Sequence, residues 1–141
     1  ISRQEVGLEA PRAEAGITFP TAEYGQLDPL LQRSSAITGV VAYRDSSIPQ
    51  LQNQLLFGDF PSGEIFYVSA DDVPEGGQSP IRRVLLRDGG DSKTFLQLIQ
   101  EKTVKQGREQ ATRADLRFGT GPGGRLFVLN KHDGVIREVV R

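Results

Sequence analysis

The residues able to do chemistry are few. His132 is the only histidine and the only unperturbed near-neutral acid–base group. It stands in Lys131-His132-Asp133-Gly134, an Asp-Gly hairpin turn, and reads as a solvated turn residue ahead of a catalyst. With no Cys and no second His, no metal partnership is available to it. Gly119-Thr120-Gly121-Pro122-Gly123-Gly124 satisfies G-x-G-x-x-G as a string. A dinucleotide loop needs a helix after it, and here a strand-like run, RLFVL, follows. Asp59 follows Phe57-Gly58 at a strand end, where a carboxylate can cap a turn or line a central funnel. Asp71-Asp72 and Asp88-Gly89-Gly90-Asp91 lack the spacing and closing Glu of an EF-hand, so turn chemistry accounts for them. Arg82, Arg83 and Arg87 with Lys93 form a small basic cluster that reads as a solvated face.

Composition narrows the classes. The chain has 141 residues, enough for one domain. Lys+Arg 17 against Asp+Glu 18 gives a net charge of −1, so no global field recruits nucleic acid. Sixteen Gly and eight Pro point to many tight turns, as in all-β proteins. No run approaches the roughly 20 apolar residues of a membrane helix. No signal-peptide pattern is read in these residues, and without a single Met the chain is expected to be a fragment or a processed product.

Residues 1–15 are polar, without a sustained period, and read as an arm or linker. From Gly16 onward short apolar runs alternate with turn residues. Strands are expected at Ile17–Phe19, Ile37–Arg44, Gln54–Gly58, Glu64–Ser69, Ile81–Leu86, Ala114–Gly119, Arg125–Leu129 and Val135–Val140. Ser92–Lys102 places Phe95, Leu98, Ile99 and Lys102 on one helical face, and a short helix near 93–102 with Ser92 as N-cap is favoured over a strand. Lys102–Ala111 reads as a charged, mobile surface loop.

An internal repeat organises these elements. Leu55–Val68 (LLFGDFPSGEIFYV) and Leu116–Leu129 (LRFGTGPGGRLFVL) align without a gap as L-x-F-G-x-x-P-x-G-x-[IL]-F-x-[VL]. Each copy reads as a β-hairpin in which Pro61 or Pro122 sets φ and Gly63 or Gly124 supplies a positive φ. The return strands IFYV and LFVL are continuously apolar, as antiparallel strands are when both faces are covered. Sheets stacked about an axis in a β-propeller cover their inner strands in this way.

The same residues resemble a known family. Gly16–Tyr24 (GITFPTAEY), Ala36–Arg44 (AITGVVAYR), Ile48–Leu51 with Leu55–Phe60, Ala114–Gly119 (ADLRFG) and Asn130–Arg137 (NKHDGVIR) resemble, in order, the late segments of glucose/sorbosone dehydrogenase-type propellers. The resemblance runs from Gly16 to the end. It implies the last two blades of a six-bladed propeller: blade 1 at about 36–87 and blade 2 at about 92–141, with a closing strand.

It further implies a parent that oxidises an aldose or sorbosone-type sugar using pyrroloquinoline quinone and calcium. The sugar is that parent's substrate, and its compartment is periplasmic or extracellular. Phe19 and Thr21 hold the places of the quinone-lining aromatic and threonine, with Arg113 and Arg117 behind them as cofactor-binding residues. The family's lysine falls at Pro61. Its R-x-R-D pair falls at Thr112 and Ala114, ahead of Asp115. The catalytic histidine and most calcium ligands belong to earlier blades, so the fragment is expected to carry neither catalytic residue nor metal. The alternative is a propeller used purely as a binding module. Either way the chain is expected to self-associate or to be bound to the remaining blades of its parent.

Overall fold

The computed structural model describes residues 20–26, 28–31 and 35–141. The polar arm, the strand expected at Ile17–Phe19 and the candidate residue Phe19 lie outside them. The chain forms antiparallel sheets with one short helix. Strands β1 (Ile37–Tyr43), β2 (Gln54–Asp59), β3 (Ile65–Ser69) and β4 (Arg82–Val84) make a four-stranded sheet in chain order. Next, β5 (Leu86–Asp88) and β6 (Asp91–Lys93) form a small hairpin, followed by α1 (Phe95–Lys105). Strands β7 (Arg117–Thr120), β8 (Leu126–Leu129) and β9 (Ile136–Glu138) make a three-stranded sheet. No helix among the described residues is long and apolar enough to cross a membrane.

The apolar pattern of the two return strands resolves differently in the two sheets. In the first sheet Leu56 and Ile65 face a core shared with Phe95 and Ile99 of α1 and with Leu116, Leu126 and Val128. Phe57, Phe66 and Val68 face the other way, into a second cluster closed by Leu31 and Tyr24. Both faces of β2 and β3 are therefore covered, which is why those strands read as unbroken apolar runs. Burial and the charge of Asp59, partly offset by the Ser35 hydroxyl, push the Tyr24 phenol up to about 12. In β8 only Leu126 and Val128 are buried, while Phe127 and Leu129 stay half-exposed. The expectation of two covered faces thus holds for β3 and fails for β8.

A one-residue difference in register causes this. Gly58 pairs with Ile65, but its repeat equivalent Gly119 pairs with Phe127 rather than Leu126. The first turn closes at Asp59–Glu64, where the Asp59 carboxylate accepts from the Ala36 and Ser62 amides at 2.8 and 2.9 Å. The second copy has Thr120 in place of that carboxylate, and its turn closes one position tighter, Gly121 N–H donating to the Arg125 carbonyl. A one-residue slip reverses the facing of a strand, so Leu126 and Val128 point to the core and Phe127 and Leu129 point out. The expected positive φ is present at Gly63 (73°) and Gly124 (81°).

Several boundaries differ from the sequence reading. The strand expected at Ile81–Leu86 divides into β4 and β5, because Leu86–Asp88 turns away to pair with Asp91–Lys93. Ser92 is thereby spent in β6, and Thr94 caps the helix instead. Its hydroxyl accepts from Gln97 N at 3.2 Å, and the Gln97 side chain accepts from Thr94 N at 2.8 Å. That reciprocal cap is worth about 1 kcal/mol. The helix buries Phe95, Leu98, Ile99 and Thr103, leaves Lys102 exposed, and runs on to Lys105 through part of the expected loop. The strand expected at Ala114–Gly119 starts only at Arg117, because Asp115 leaves extended geometry at φ 50°.

The two sheets meet at a glycine. A Cβ at Gly58 would lie 2.4 Å from Leu116 Cδ2 and 3.1 Å from Phe118 Cε2, so the second sheet occupies the space a side chain would need. At Gly119 the nearest atoms, Leu129 Cδ2 and Phe127 Cβ, are 3.7 and 3.8 Å away. Gly58→Ala is expected to destabilise the fold by about 1–3 kcal/mol through overpacking. Gly119→Ala is expected to stay within about 0.5 kcal/mol of the parent chain. Urea denaturation of both variants checks the pair, and equal effects would contradict this packing.

Candidate functional site

Asp115 is the centre of the charged groups that converge on one side of the second sheet. Its left-handed backbone, which Asp tolerates better than most residues, turns its neighbours' amides the same way. Ala114 N–H donates to the Pro61 carbonyl at 2.8 Å and Leu116 N–H to the Phe60 carbonyl at 3.1 Å. The Asp115 side chain, 7% exposed, receives Lys131 Nζ at 3.1 Å and His132 Nε2 at 3.0 Å on Oδ2, and Arg113 at 3.1 Å near Oδ1. Arg113 and Arg117 both lie over the Phe60 ring, with Cζ at 5.3 and 4.2 Å from its centroid. Arg117 also donates to its own neighbour, the Leu116 carbonyl, at 3.0 Å.

A second buried carboxylate builds the turn that carries Lys131 and His132. Asp133, with a fully buried side chain, accepts from Asn130 Nδ2 at 2.8 Å, Val135 N at 2.9 Å and Arg137 Nη2 at 2.6 Å. Asn130 Oδ1 in turn accepts the His132 and Asp133 amides. From the end of α1 and the loop after it, Gln106 and Arg108 donate to the carbonyls of Asp133 and His132. The imidazole is thus held against Asp115 by a turn with its hydrogen bonds made.

Burial works to raise the pKa of Asp115. The hydrogen bond from Lys131 and the charges of Arg113, Lys131 and His132 outweigh it and hold the carboxyl below its ordinary 3.8. Asp133 is likewise opposed by burial and held below 3.8 by Arg137, the Val135 amide and Asn130. The cluster is therefore one anchored anion beneath several cations, an arrangement suited to receiving a second anion from solvent.

The sequence-predicted residues are only partly brought together. Arg113 and Arg117 converge on Phe60. Thr21 is exposed, and its carbonyl accepts from Gly76 in a different loop. Pro61, where the sequence resemblance expected a lysine, is buried in the β2–β3 turn. Asp59 caps that turn with both oxygens and is buried. Arg83 forms a two-bond pair with Glu64 at 2.6 and 2.7 Å, and Lys93 pairs with Glu101. Asp88 and Asp91 close the β5–β6 hairpin, and Asp72 N–H is bound by Ser69 Oγ.

Asp115 and Lys131 were not singled out by sequence. Asp115 stands between Arg113 and Arg117 in sequence, and that local spacing was the available signal. A cleft of about 650 Å³ lined by Leu86, Leu98, Val128 and Val139 includes Arg137 and Asp88 but not Arg113, Asp115, Arg117, Lys131 or His132. Among the described residues no group of three or more His, Asp and Glu converges as a metal set. Comparison with protein-family models, curated proteins and solved structures returned no match.

Because the folded pKa of Asp115 is depressed, its contribution to stability is complete above the unfolded value and is lost as pH falls through the folded one. Asp115→Asn keeps the left-handed geometry and removes the charge. Urea unfolding of the parent chain should weaken progressively below about pH 5, and the variant should show a shallower loss. Parallel profiles for the two would mean that the ion pairs contribute nothing to stability.

Proposed function

We propose that this chain is the C-terminal part of a sugar-dehydrogenase-like β-propeller, without turnover of its own, and that Arg113 and Arg117 form a wall that holds a carboxylate-bearing ligand. The observation that carries this reading is the convergence of the two guanidinium groups on Phe60, beside the Asp115–Lys131–His132 cluster. Guanidinium groups bind carboxylates through paired, charge-assisted hydrogen bonds, and a ring beneath them restricts their motion. The ordered family-like segments from Gly16 onward and the repeated hairpin support the parentage.

The donor set fits one anionic edge of pyrroloquinoline quinone and not the whole molecule. Thr21 stands apart, and Pro61 offers no cation where the family has lysine. Other blades of the parent would complete the quinone and calcium site and supply the base that takes the sugar's hydroxyl proton, in a periplasmic or extracellular setting. When bound there, the quinone accepts the substrate's electrons, while the residues of this chain bind and orient.

A second reading, a propeller serving only as a binding module, is favoured by the same Pro61. The turn it occupies is buried, and its carbonyl is already bound by Ala114 N–H.

Titration calorimetry of the full chain with pyrroloquinoline quinone, with and without calcium, tests the wall. Arg113→Ala and Arg117→Ala should each weaken binding by about tenfold, the loss expected of one charge-assisted contact. Arg87→Ala, at an exposed position on β5, should leave it unchanged. Binding that survives both arginine changes would remove the anion reading. Glucose-dependent dye reduction by the isolated chain would overturn its assignment as non-catalytic. A folded chain that binds no quinone leaves the binding-module reading.

A further inference from the structure

The cleft of about 650 Å³ is lined from both halves of this chain. Its size falls within the roughly 300–1,000 Å³ of small-molecule sites. On the second sheet, Val128 pairs with Arg137, and Val139 N–H donates to the Leu126 carbonyl at 2.8 Å. Cross-strand partners share a face, so Arg137 and Val139 stand on the same side as the buried Val128 and Leu126. Ile48, Leu51 and Leu86 from earlier in the chain, with Leu98 of α1, supply the rest of the apolar lining.

Arg137 is the polar side chain on that face, and half of its guanidinium is not used. The side chain is 19% exposed, with Cζ 5.8 Å from the centroid of the Phe95 ring. Its Nη2 donates to Asp133 at 2.6 Å. Its Nη1 is buried and, among the described residues, meets no acceptor. A buried donor left unmatched is costly, and a charged oxygen is the acceptor that satisfies a guanidinium best.

The remaining charged groups of the lining are Arg87, Asp88, Glu138 and Arg141, all exposed. Glu138 is already 3.4 Å from Arg125, outside the cleft. Arg87 and Arg141 then outnumber Asp88. The lining therefore asks for a ligand with an apolar body and one anionic oxygen group.

We infer that this cleft binds an alkyl carboxylate. The chain of the ligand lies against Leu86, Leu98, Val128 and Val139, and its carboxylate accepts from Arg137 Nη1 within the field of Arg87 and Arg141. An alkyl cation meets those arginines as like charge, and an alkyl alcohol offers only a neutral hydrogen bond. Neither Arg113 nor Arg117 lines the cleft, so the inference is independent of the arginine wall.

Titration calorimetry of the full chain with decanoate, held below its micelle concentration, should show saturation of one site. Decanol and decyltrimethylammonium should bind at least about tenfold more weakly. Arg137→Lys keeps a cation for Asp133 and removes the second guanidinium nitrogen. It should weaken decanoate binding about tenfold and leave decanol unchanged. Val139→Trp fills the cleft and should abolish binding of both. A folded chain that does not bind decanoate overturns the inference. Equal affinity for the three alkyl compounds does the same, as does decanoate binding that survives Val139→Trp. Excess pyrroloquinoline quinone should not displace decanoate; displacement would put decanoate on the arginine wall and overturn the cleft as its site.

If a substitution prevents folding, methyl NMR of the unsubstituted chain decides. Decanoate should shift the methyl resonances of Leu98, Val128 and Val139, and shifts confined to other residues overturn the assignment.

Discussion

Two peptide hydrogen bonds, from Ala114 and Leu116 to the carbonyls of Pro61 and Phe60, join the first sheet to everything that follows it. They demand a great deal of the residues around them. The β2–β3 turn must present adjacent carbonyls outward, so Asp59 holds it from inside with both oxygens. Gly63 must have a positive φ and no side chain, since a Cβ there would sit 2.5 Å from the Ala114 methyl and 3.1 Å from the Leu96 amide. Gly58 must be bare so that Leu116 can follow its own amide into the core. Asp115 must take a left-handed conformation between the two donors, a strain of the order of 1 kcal/mol for a residue type that tolerates it. That conformation sends its carboxylate out to Arg113, Lys131 and His132. Fold and candidate site thus share one residue.

Buried carboxylates carry much of the loop structure. Asp59, Asp115 and Asp133 are each almost wholly withdrawn from water. An unpaired buried carboxylate costs several kcal/mol, so each has collected amides, guanidinium or ammonium groups. Asp59 takes backbone amides and shapes a turn. Asp133 takes an amide, Asn130 and Arg137 and shapes another. Asp115 is satisfied mainly by side chains that remain partly in water, with Lys131 76% exposed and Arg113 50%. Of the three, Asp115 has the most exposed charged partners; Arg137, the cation on Asp133, is 19% exposed.

Much of the architecture was legible in the residues. The L-x-F-G repeat located both hairpins, and the turn glycines had the positive φ that their spacing demanded. The 3–4 spacing of Phe95, Leu98 and Ile99 located the helix. What escaped was set by contacts distant in sequence. Ser92 was an eligible cap until β6 claimed it for a strand. The register of the second hairpin depended on Thr120 standing where Asp59 stands, a difference that the gapless alignment concealed. At the site, Arg113 and Arg117 were found through a resemblance, but Lys131 and His132 reach Asp115 only because a neighbouring turn folds over it. His132 looked like a solvated turn residue, and in the fold it is a turn residue with a buried carboxylate for a neighbour.

Phe57 and Gly58 stand on opposite sides of β2, as Phe118 and Gly119 do on β7, and these unlike sides carry a consequence for symmetry. A unit that joins its neighbour glycine side to phenylalanine side cannot close on itself about a two-fold axis, because such an axis sets identical surfaces against each other. Stacking of this kind is heterologous, and each added sheet exposes a fresh glycine side. The number of sheets is then set by the rotation between successive members: a rotation that divides the circle gives a ring, and any other gives an open helix. Within this chain one such joint is made, where Leu116 and Phe118 fill the space beside Gly58.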